Sequence, residues 1–239
     1  MSSVPSIAMV FAAGLGTRMR PLTLTTPKPL IKVAGKALID HVLDSLAAAG
    51  VARAIVNVHY FGQQIIDHLK GRTAPEIIIS DERERLLDQG GGIAKVLPLL
   101  GGAPFLMCNT DAFWIEGAGN NLQRLGAAFD SGTMDALLLV AGTAHAVGID
   151  WQGDFNLATT GHLTRRAEGR IAPFAYTGTG IIKPALFRER GEIFRLAPLL
   201  FEAAEKQRLY GMRLDGLWLH VGAPEAISQA ERAIARSVL

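Results

Sequence analysis

The segment from Ile7 to Leu30 constrains this chain more than any other. It begins with a short apolar run, Ile7 to Ala12, of the length expected for a buried strand. The run breaks into Gly14-Leu15-Gly16-Thr17-Arg18, where two glycines one residue apart let the backbone turn and bring its N–H groups close to a ligand. Arg18 and Arg20 follow at once, and Lys28 sits between Pro27 and Pro29, which fix φ on both sides and restrict the residues before them. Exposed amides followed by three cations on a stiffened segment suit a ligand with several phosphates in a row. Two other glycine motifs are excluded. Met19 holds the third position of G-x-G-x-x-G, and no G-K-[ST] closes the loop as a P-loop.

The rest of the chain supplies the frame for that loop. Leu38, Ile39, Val42, Leu43, Leu46 and Ala47 recur at helical spacing and stop at Gly50. A β-branched strand at Ala54–Val58, a short helix from Gly62 to Leu69 and a strand at Ile77–Ile79 follow. Alternation of this kind predicts an α/β fold: a Rossmann-like, mostly parallel sheet with helices on both faces. Ligands on such sheets bind beyond the carboxyl ends of the strands, which is where the loop after the first strand lies. Asp88-Gln89-Gly90-Gly91-Gly92 then precedes a helical run, Ile93–Leu100, and reads as a glycine turn exposing amides at a helix N-terminus. Phe105–Asp111 reads as a strand ending in a carboxylate, so Asp111 should enter the same crevice.

Beyond a helix marked by Leu122, Leu125 and Phe129 and a strand at Ala136–Val140, the chain changes character. Short strands are expected at Gly148–Trp151, Asp154–Leu157 and His162–Arg165, and a longer one over Phe174–Ile182. A helix over Phe194–Lys206, strands at Tyr210–Leu214 and Leu217–Val221, and a last helix from Pro224 to Val238 complete the reading. No linker-like stretch divides the 239 residues, so one domain over 1–239 is expected, with residues 142–182 as a small mixed β lobe on the substrate side.

Composition narrows the partners. A net charge of +2 gives no case for nucleic acid or an anionic membrane. No apolar run approaches a membrane span, and Met1–Ser6 lacks the layout of a signal peptide. A single cysteine, Cys108, rules out an intrachain disulfide and fits a reducing, cytoplasmic setting; within Phe105–Cys108 it reads as a buried small hydrophobe. Nothing in the sequence speaks to oligomeric state.

Ala12-Ala13-Gly14-Leu15-Gly16-Thr17-Arg18-Met19-Arg20-Pro21-Leu22-Thr23, followed by Pro27-Lys28-Pro29-Leu30, resembles the signature of the sugar-1-phosphate nucleotidylyltransferases, the NDP-sugar pyrophosphorylases. The likeness runs from Ile7 to about Ala233 and is strongest to the N-acetylmuramate 1-phosphate uridylyltransferases, with the mannose-1-phosphate guanylyltransferases close behind. It implies transfer of NMP from an NTP, UTP for preference, to a sugar 1-phosphate, with release of pyrophosphate. Ala12, Ala13, Gly14, Gly16, Thr17 and Arg18 would then bind the triphosphate, with Arg18 and Lys28 as the catalytic cations. Gln89 and Gly90, Gly91 and Gly92 would read the base. Asn109, Asn156, Tyr176, Thr177 and Gly178 would hold the sugar. Asp111 would ligate Mg²⁺, a hard cation that completes its shell with phosphate oxygens and water.

One departure stands out. Where the family usually reads W-x-D-[VT]-G-T-P, this chain has Trp218-Leu219-His220-Val221-Gly222-Ala223-Pro224, so His220 occupies the position of a second metal-binding aspartate. An imidazole suits Mg²⁺ poorly. Two outcomes follow: Mg²⁺ held by Asp111, phosphates and water, with His220 on the metal or on phosphate; or a non-catalytic nucleotide or sugar-phosphate sensor. A nicotinamide-dependent dehydrogenase fits less well, because no acidic residue closes the second strand, where Val58 is followed by His59 and Tyr60.

Overall fold

A computed structural model describes residues 4–237. In chain order the first half contains β1 (Ile7–Phe11), β2 (Lys32–Val33), β3 (Lys36–Ala37), α1 (Leu38–Ala48), β4 (Arg53–Val58), α2 (Gly62–Leu69), β5 (Glu76–Asp81), α3 (Asp88–Leu100), β6 (Phe105–Asn109) and β7 (Ala112–Glu116). The second half adds α4 (Asn121–Ala128), β8 (Ala136–Gly142), β9 (Phe155–Leu157), β10 (Leu163–Arg165), β11 (Phe174–Ile182), α5 (Leu196–Glu205), β12 (Leu209–Arg213), β13 (Gly216–His220) and α6 (Pro224–Ser237). The expected end of the last helix, Val238, lies outside the described residues.

A nine-stranded sheet organises the molecule, its main path running β10-β9-β11-β6-β1-β4-β5, with β8 joining β11 and β12 joining β8. Strands β6, β1, β4 and β5 are mutually parallel, as the alternating helices require. Strand β1 is buried on both faces. Ala8 and Val10 join the core under α1, α2 and α4, while Ile7, Met9 and Phe11 join the one under α3 and α5. That two-sided burial explains why its sequence is continuously apolar rather than alternating. The parallel order ends at β11, which runs antiparallel to both β6 and β8 and carries a register shift between Tyr176 and Gly180. Strands β9 and β10 form an antiparallel pair tied to β11 at Phe155–Phe174.

Two expectations about local structure are corrected, and one strand is found that was not expected. Gly148–Trp151 is not a strand: Val147 makes one isolated bridge to Leu219, and Gly148 turns away in the left-handed region at φ +76°. The two strands around Asp215-Gly216 do not pair with each other. Strand β12 extends the main sheet beside β8, whereas β13 pairs with β7, a strand that the sequence did not reveal. The glycines Gly90–Gly92 do not form a turn before a helix but lie buried within the first turns of α3. A side chain at Gly90 would overlap Phe194, and one at Gly91 would overlap the Glu192 carbonyl. Their smallness lets α3 approach the 192–194 segment, which outweighs the helix-weakening tendency of glycine.

A third core cluster joins the start of the chain to its far end. Met19, Val33, Leu38, Phe113, Leu219, Val221, Ala226 and Ala230 are packed together, and Glu231 of α6 accepts a hydrogen bond from Ala34 N (3.1 Å). Among the described residues no helix is long and apolar enough to cross a membrane.

Candidate active site

The loop after β1 takes its shape from short-range packing. Gly16 lies in the left-handed region at φ +63°, and an added Cβ would come within 3.0 Å of Thr23 and 3.1 Å of Lys28, so glycine is strongly favoured there. Thr23 Oγ1 donates to the Gly16 carbonyl (2.8 Å). Gly16 then caps a 3₁₀ turn, Thr17–Met19, rather than an α-helix, and Met19 enters the core where a dinucleotide fold would need its third glycine. At the loop's root, Ala12 N donates to Asn57 Oδ1 (2.8 Å), and Asn57 Nδ2 donates to Glu82 Oε1 (3.0 Å). These bonds link the ends of β1, β4 and β5 through buried polar groups. Asn57 and Glu82 were not singled out in the sequence, although an asparagine inside the β-branched run Ile55–Val58 was a signal that a buried amide had a partner. Burial raises the Glu82 carboxyl, a push that the Asn57 amide only partly offsets.

A cavity of about 290 Å³ opens at this point, lined by Ala12, Ala13, Gly14, Gly16, Lys28 and Asp111 among others. Lys28 begins a 3₁₀ turn, Lys28–Leu30, and its Nζ lies 2.8 Å from Asp111 Oδ2. The strand expected to end at Asp111 stops at Asn109, and Asp111 lies in the tight turn between β6 and β7. The β7–β13 pair sets His220 opposite Ala112, and Val221 N donates to the Asp111 carbonyl (2.8 Å). As a result His220 Nε2 lies 3.8 Å from Asp111 Oδ2 although the two residues are far apart in sequence. Burial raises the Asp111 carboxyl, but Lys28, His220 and Arg18 together outweigh it and hold the group below its ordinary value.

The imidazole of His220 is fixed. Its Nδ1 is 3.1 Å from the Gly148 carbonyl, an acceptor, so Nδ1 carries the proton and Nε2 faces Asp111. Trp151 meets the ring edge-on, with centroids 5.0 Å apart, and a side chain at Gly222 would overlap it. Arg18 joins Asp111 and His220 on an adjoining cavity of about 320 Å³, which Asn109, Tyr176, Thr177 and Gly178 also line. Thr17 and Arg20 are exposed and line none of the cavities named here.

The sugar-side expectations separate. Asn109 lines both cavities, and its Oδ1 accepts from Gln89 Nε2 (2.9 Å). Gly178 sits at φ +82° with Asn109 packed on it, so that a Cβ there would lie 2.7 Å from the Asn109 side chain. Thr177 donates its hydroxyl to the Leu139 carbonyl (2.8 Å) inside the sheet, leaving only its main chain for a ligand. The Tyr176 hydroxyl is buried without a partner and its pKa is pushed up by burial. Asn156 is exposed on β9 and lines none of these cavities; Asp154, two residues earlier, faces the site instead and accepts from Tyr176 N (2.9 Å) and Trp151 Nε1 (3.2 Å). Alternation alone would put residues 154 and 156 on one face; Asp154 lies just before β9, where its N–H bonds the Phe174 carbonyl, and its carboxylate is turned inward by the two donors it accepts from. Cys108 is buried as expected, its thiol pushed up to about 12 by burial, and has no role as a nucleophile.

Residues 8–213 match the family described as the MobA-like NTP transferase domain. The chain belongs to that family. This NTP transferase is 46% identical to the N-acetylmuramate alpha-1-phosphate uridylyltransferase of Caulobacter vibrioides, with 99% of this chain and 100% of that protein aligned. It is 37% identical to the protein of the same name from Neisseria meningitidis serogroup B, over 94% and 96% of the two chains. The mannose-1-phosphate guanylyltransferase catalytic subunit beta of Danio rerio is a more distant relative, at 28% identity over 91% of this chain and 61% of that one. A crystal structure of UDP-glucose pyrophosphorylase complexed with UDP-glucose shares the transferase's fold, with a TM-score of 0.78 at 16% identity over 97% and 98% of the chains. The nucleotidyltransferase class that the opening loop implied is therefore the class of this enzyme.

Proposed function

We propose that the enzyme joins UTP to N-acetylmuramate 1-phosphate, giving UDP-N-acetylmuramate and pyrophosphate. The observation that carries this reading is the Lys28–Asp111 pair, set under the glycine loop of a chain that aligns end to end with a uridylyltransferase. A phosphate oxygen of the sugar phosphate attacks the α-phosphorus in line; a new P–O bond forms, the bond to the β-phosphate oxygen breaks, and pyrophosphate departs. No protein nucleophile is needed. Two polyanions must instead be held together and their charge spread, so positioning and electrostatics supply the acceleration.

The loop amides around Gly14 and Gly16, with Arg18, hold the departing pyrophosphate. Lys28 neutralises the α-phosphate and the incoming phosphate. Gln89, which lines the cavity, is left to face the base, because Gly90 packs on Phe194, Gly91 N–H already serves the Phe194 carbonyl and Gly92 packs on Glu82 and Asn57. Asn109, Tyr176, Gly178 and the main chain of Thr177 border the hexose, with Asp154 in the place foreseen for Asn156.

The donor set fits a divalent cation. Asp111 Oδ1 is free of protein hydrogen bonds among the described residues, and His220 Nε2 is turned toward that carboxylate. Such an ion, Mg²⁺ or a softer metal such as Mn²⁺, neutralises and orients phosphate oxygens when bound.

A pyrophosphate-release assay over UTP, GTP, CTP and dTTP against N-acetylmuramate, N-acetylglucosamine, mannose and glucose 1-phosphates tests the reading. The highest kcat/KM is expected for UTP with N-acetylmuramate 1-phosphate. A higher value for GTP with mannose 1-phosphate would replace this substrate pair by the guanylyltransferase one, and binding without release for every pair would leave a sensor.

A further inference from the structure

A second, larger cavity of about 800 Å³ adjoins the catalytic one, sharing Gln89 and Asn109 with it, and is bounded by β9, β10, β11 and α5. Asn109, Asp154 and Tyr176 line both this space and the smaller cavity assigned to the hexose, so the two communicate. Four ionisable side chains besides the buried tyrosine line it: Asp154, Arg165, Arg166 and Glu168.

Two of them are already engaged. Asp154 serves the Tyr176 amide and the Trp151 indole. Arg166 donates Nε to the Gly153 carbonyl (3.0 Å) and Nη1 to the Arg170 carbonyl (3.0 Å), which ties it to the surrounding loop. Arg165 differs. Its guanidinium carbon lies 4.3 Å from the ring centroid of Phe201 on α5, and among the described residues the side chain makes no hydrogen bond or ion pair, with Glu168 or with any other carboxylate. An aromatic face holds a guanidinium in place without using its N–H donors. Arg165 therefore presents a positioned, uncommitted fork of donors to the cavity, the arrangement that recognises a carboxylate.

Hydroxyl and acetamide groups of a hexose do not call for such a group. N-acetylmuramate differs from N-acetylglucosamine by a lactyl ether on O3 that ends in a carboxylate. We infer that Arg165 binds the lactyl carboxylate of the sugar 1-phosphate and so selects N-acetylmuramate over N-acetylglucosamine. The inference rests on the uridylyltransferase reading above. It makes this cavity a specificity subsite distinct from the phosphate site.

The test compares wild type with Arg165→Ala and Arg165→Lys, using UTP with N-acetylmuramate 1-phosphate, its lactyl carboxamide, and N-acetylglucosamine 1-phosphate. Arg165→Ala should lower the kcat/KM ratio of N-acetylmuramate to N-acetylglucosamine 1-phosphate by about 10- to 100-fold, the worth of one charge-assisted contact, chiefly through KM. Arg165→Lys should recover part of it. For the neutral carboxamide, wild type and Arg165→Ala should have the same KM. An unchanged ratio in Arg165→Ala, in an enzyme whose wild type prefers N-acetylmuramate 1-phosphate, would reduce Arg165 to a rim cation and leave the proposed reaction standing. A wild type without that preference would overturn both.

Discussion

The two ends of the active-site cleft are built on different principles. On the phosphate side, main-chain donors lie at the ends of parallel strands and the buried polar groups are paired, Lys28 with Asp111, Ala12 N with Asn57 and Asn57 with Glu82, while Arg18 stays exposed at the edge. On the sugar side, antiparallel strands and turns carry the lining, and exposed Arg165 has only an aromatic face. The first arrangement is preorganised, so it costs little to bring up at the moment of reaction. The second leaves side chains uncommitted, which is where selectivity between related sugars can be set without disturbing the chemistry. On the proposed reading, catalysis and specificity are separated across Asn109, which borders both cavities.

The largest test of this division is Lys28→Ala. It should lower kcat/KM by on the order of 10²–10³ for every sugar 1-phosphate accepted, in the range of one lost transition-state donor. Steady-state kinetics on two sugars would check it, and a loss confined to one sugar would erase the boundary between the regions. Next in size, Asn57→Ala removes the acceptor for Ala12 N and strands a buried carboxyl. It should cost about 1–3 kcal/mol in urea denaturation and slow turnover as well. A fully stable variant would mean that the loop needs no support from β4.

A smaller effect is expected from His220→Asp. Exchanging an imidazole for an oxygen donor beside Asp111 should lower the Mg²⁺ concentration for half-maximal rate about tenfold and reduce any advantage of Mn²⁺. Unaltered metal titrations would separate His220 from the metal and leave it to the phosphates. The smallest is Glu82→Gln. Burial raises the Glu82 carboxyl above its ordinary 4.5, so the folded state keeps the proton longer than the unfolded one. The stability it contributes is full below that value and is lost as pH rises through the raised one. The amide should therefore flatten the stability profile from about pH 4.5 upward and leave the protein within about 1 kcal/mol of wild type, or slightly more stable, at neutral pH. A steeper profile in thermal melts across that window would show that the carboxylate form is the one the network needs.

The same division governs how much could be read in advance. The phosphate side was legible because local rules write it: a buried strand, glycines where the backbone must turn, and a lysine between prolines. Helix faces were legible too, and Leu196, Leu199, Leu200 and Ala203 all lie buried as their spacing predicts. What escaped depends on contacts between distant segments. Strand β7 exists because β13 pairs with it, and nothing near Ala112 announces that partner. The run Gly90–Gly92 looked like a turn because the residues that crowd it, Glu192 and Phe194, are about a hundred positions away. Asn156 and Asp154 lie on one short stretch, and it is the distant Tyr176 amide, with the Trp151 indole, that holds the Asp154 carboxylate toward the cleft.

The cluster that packs Met19 beside Val221, Ala226 and Ala230 has a consequence for the order of assembly. The residues that floor the phosphate loop include Ala226 and Ala230, which are synthesised long after the loop itself. A nascent chain can pair β1 with β4 long before then, yet its loop stays unsupported until α6 arrives. The enzyme should therefore gain activity late and all at once, and truncation before Pro224 should silence a site whose catalytic side chains are every one still present.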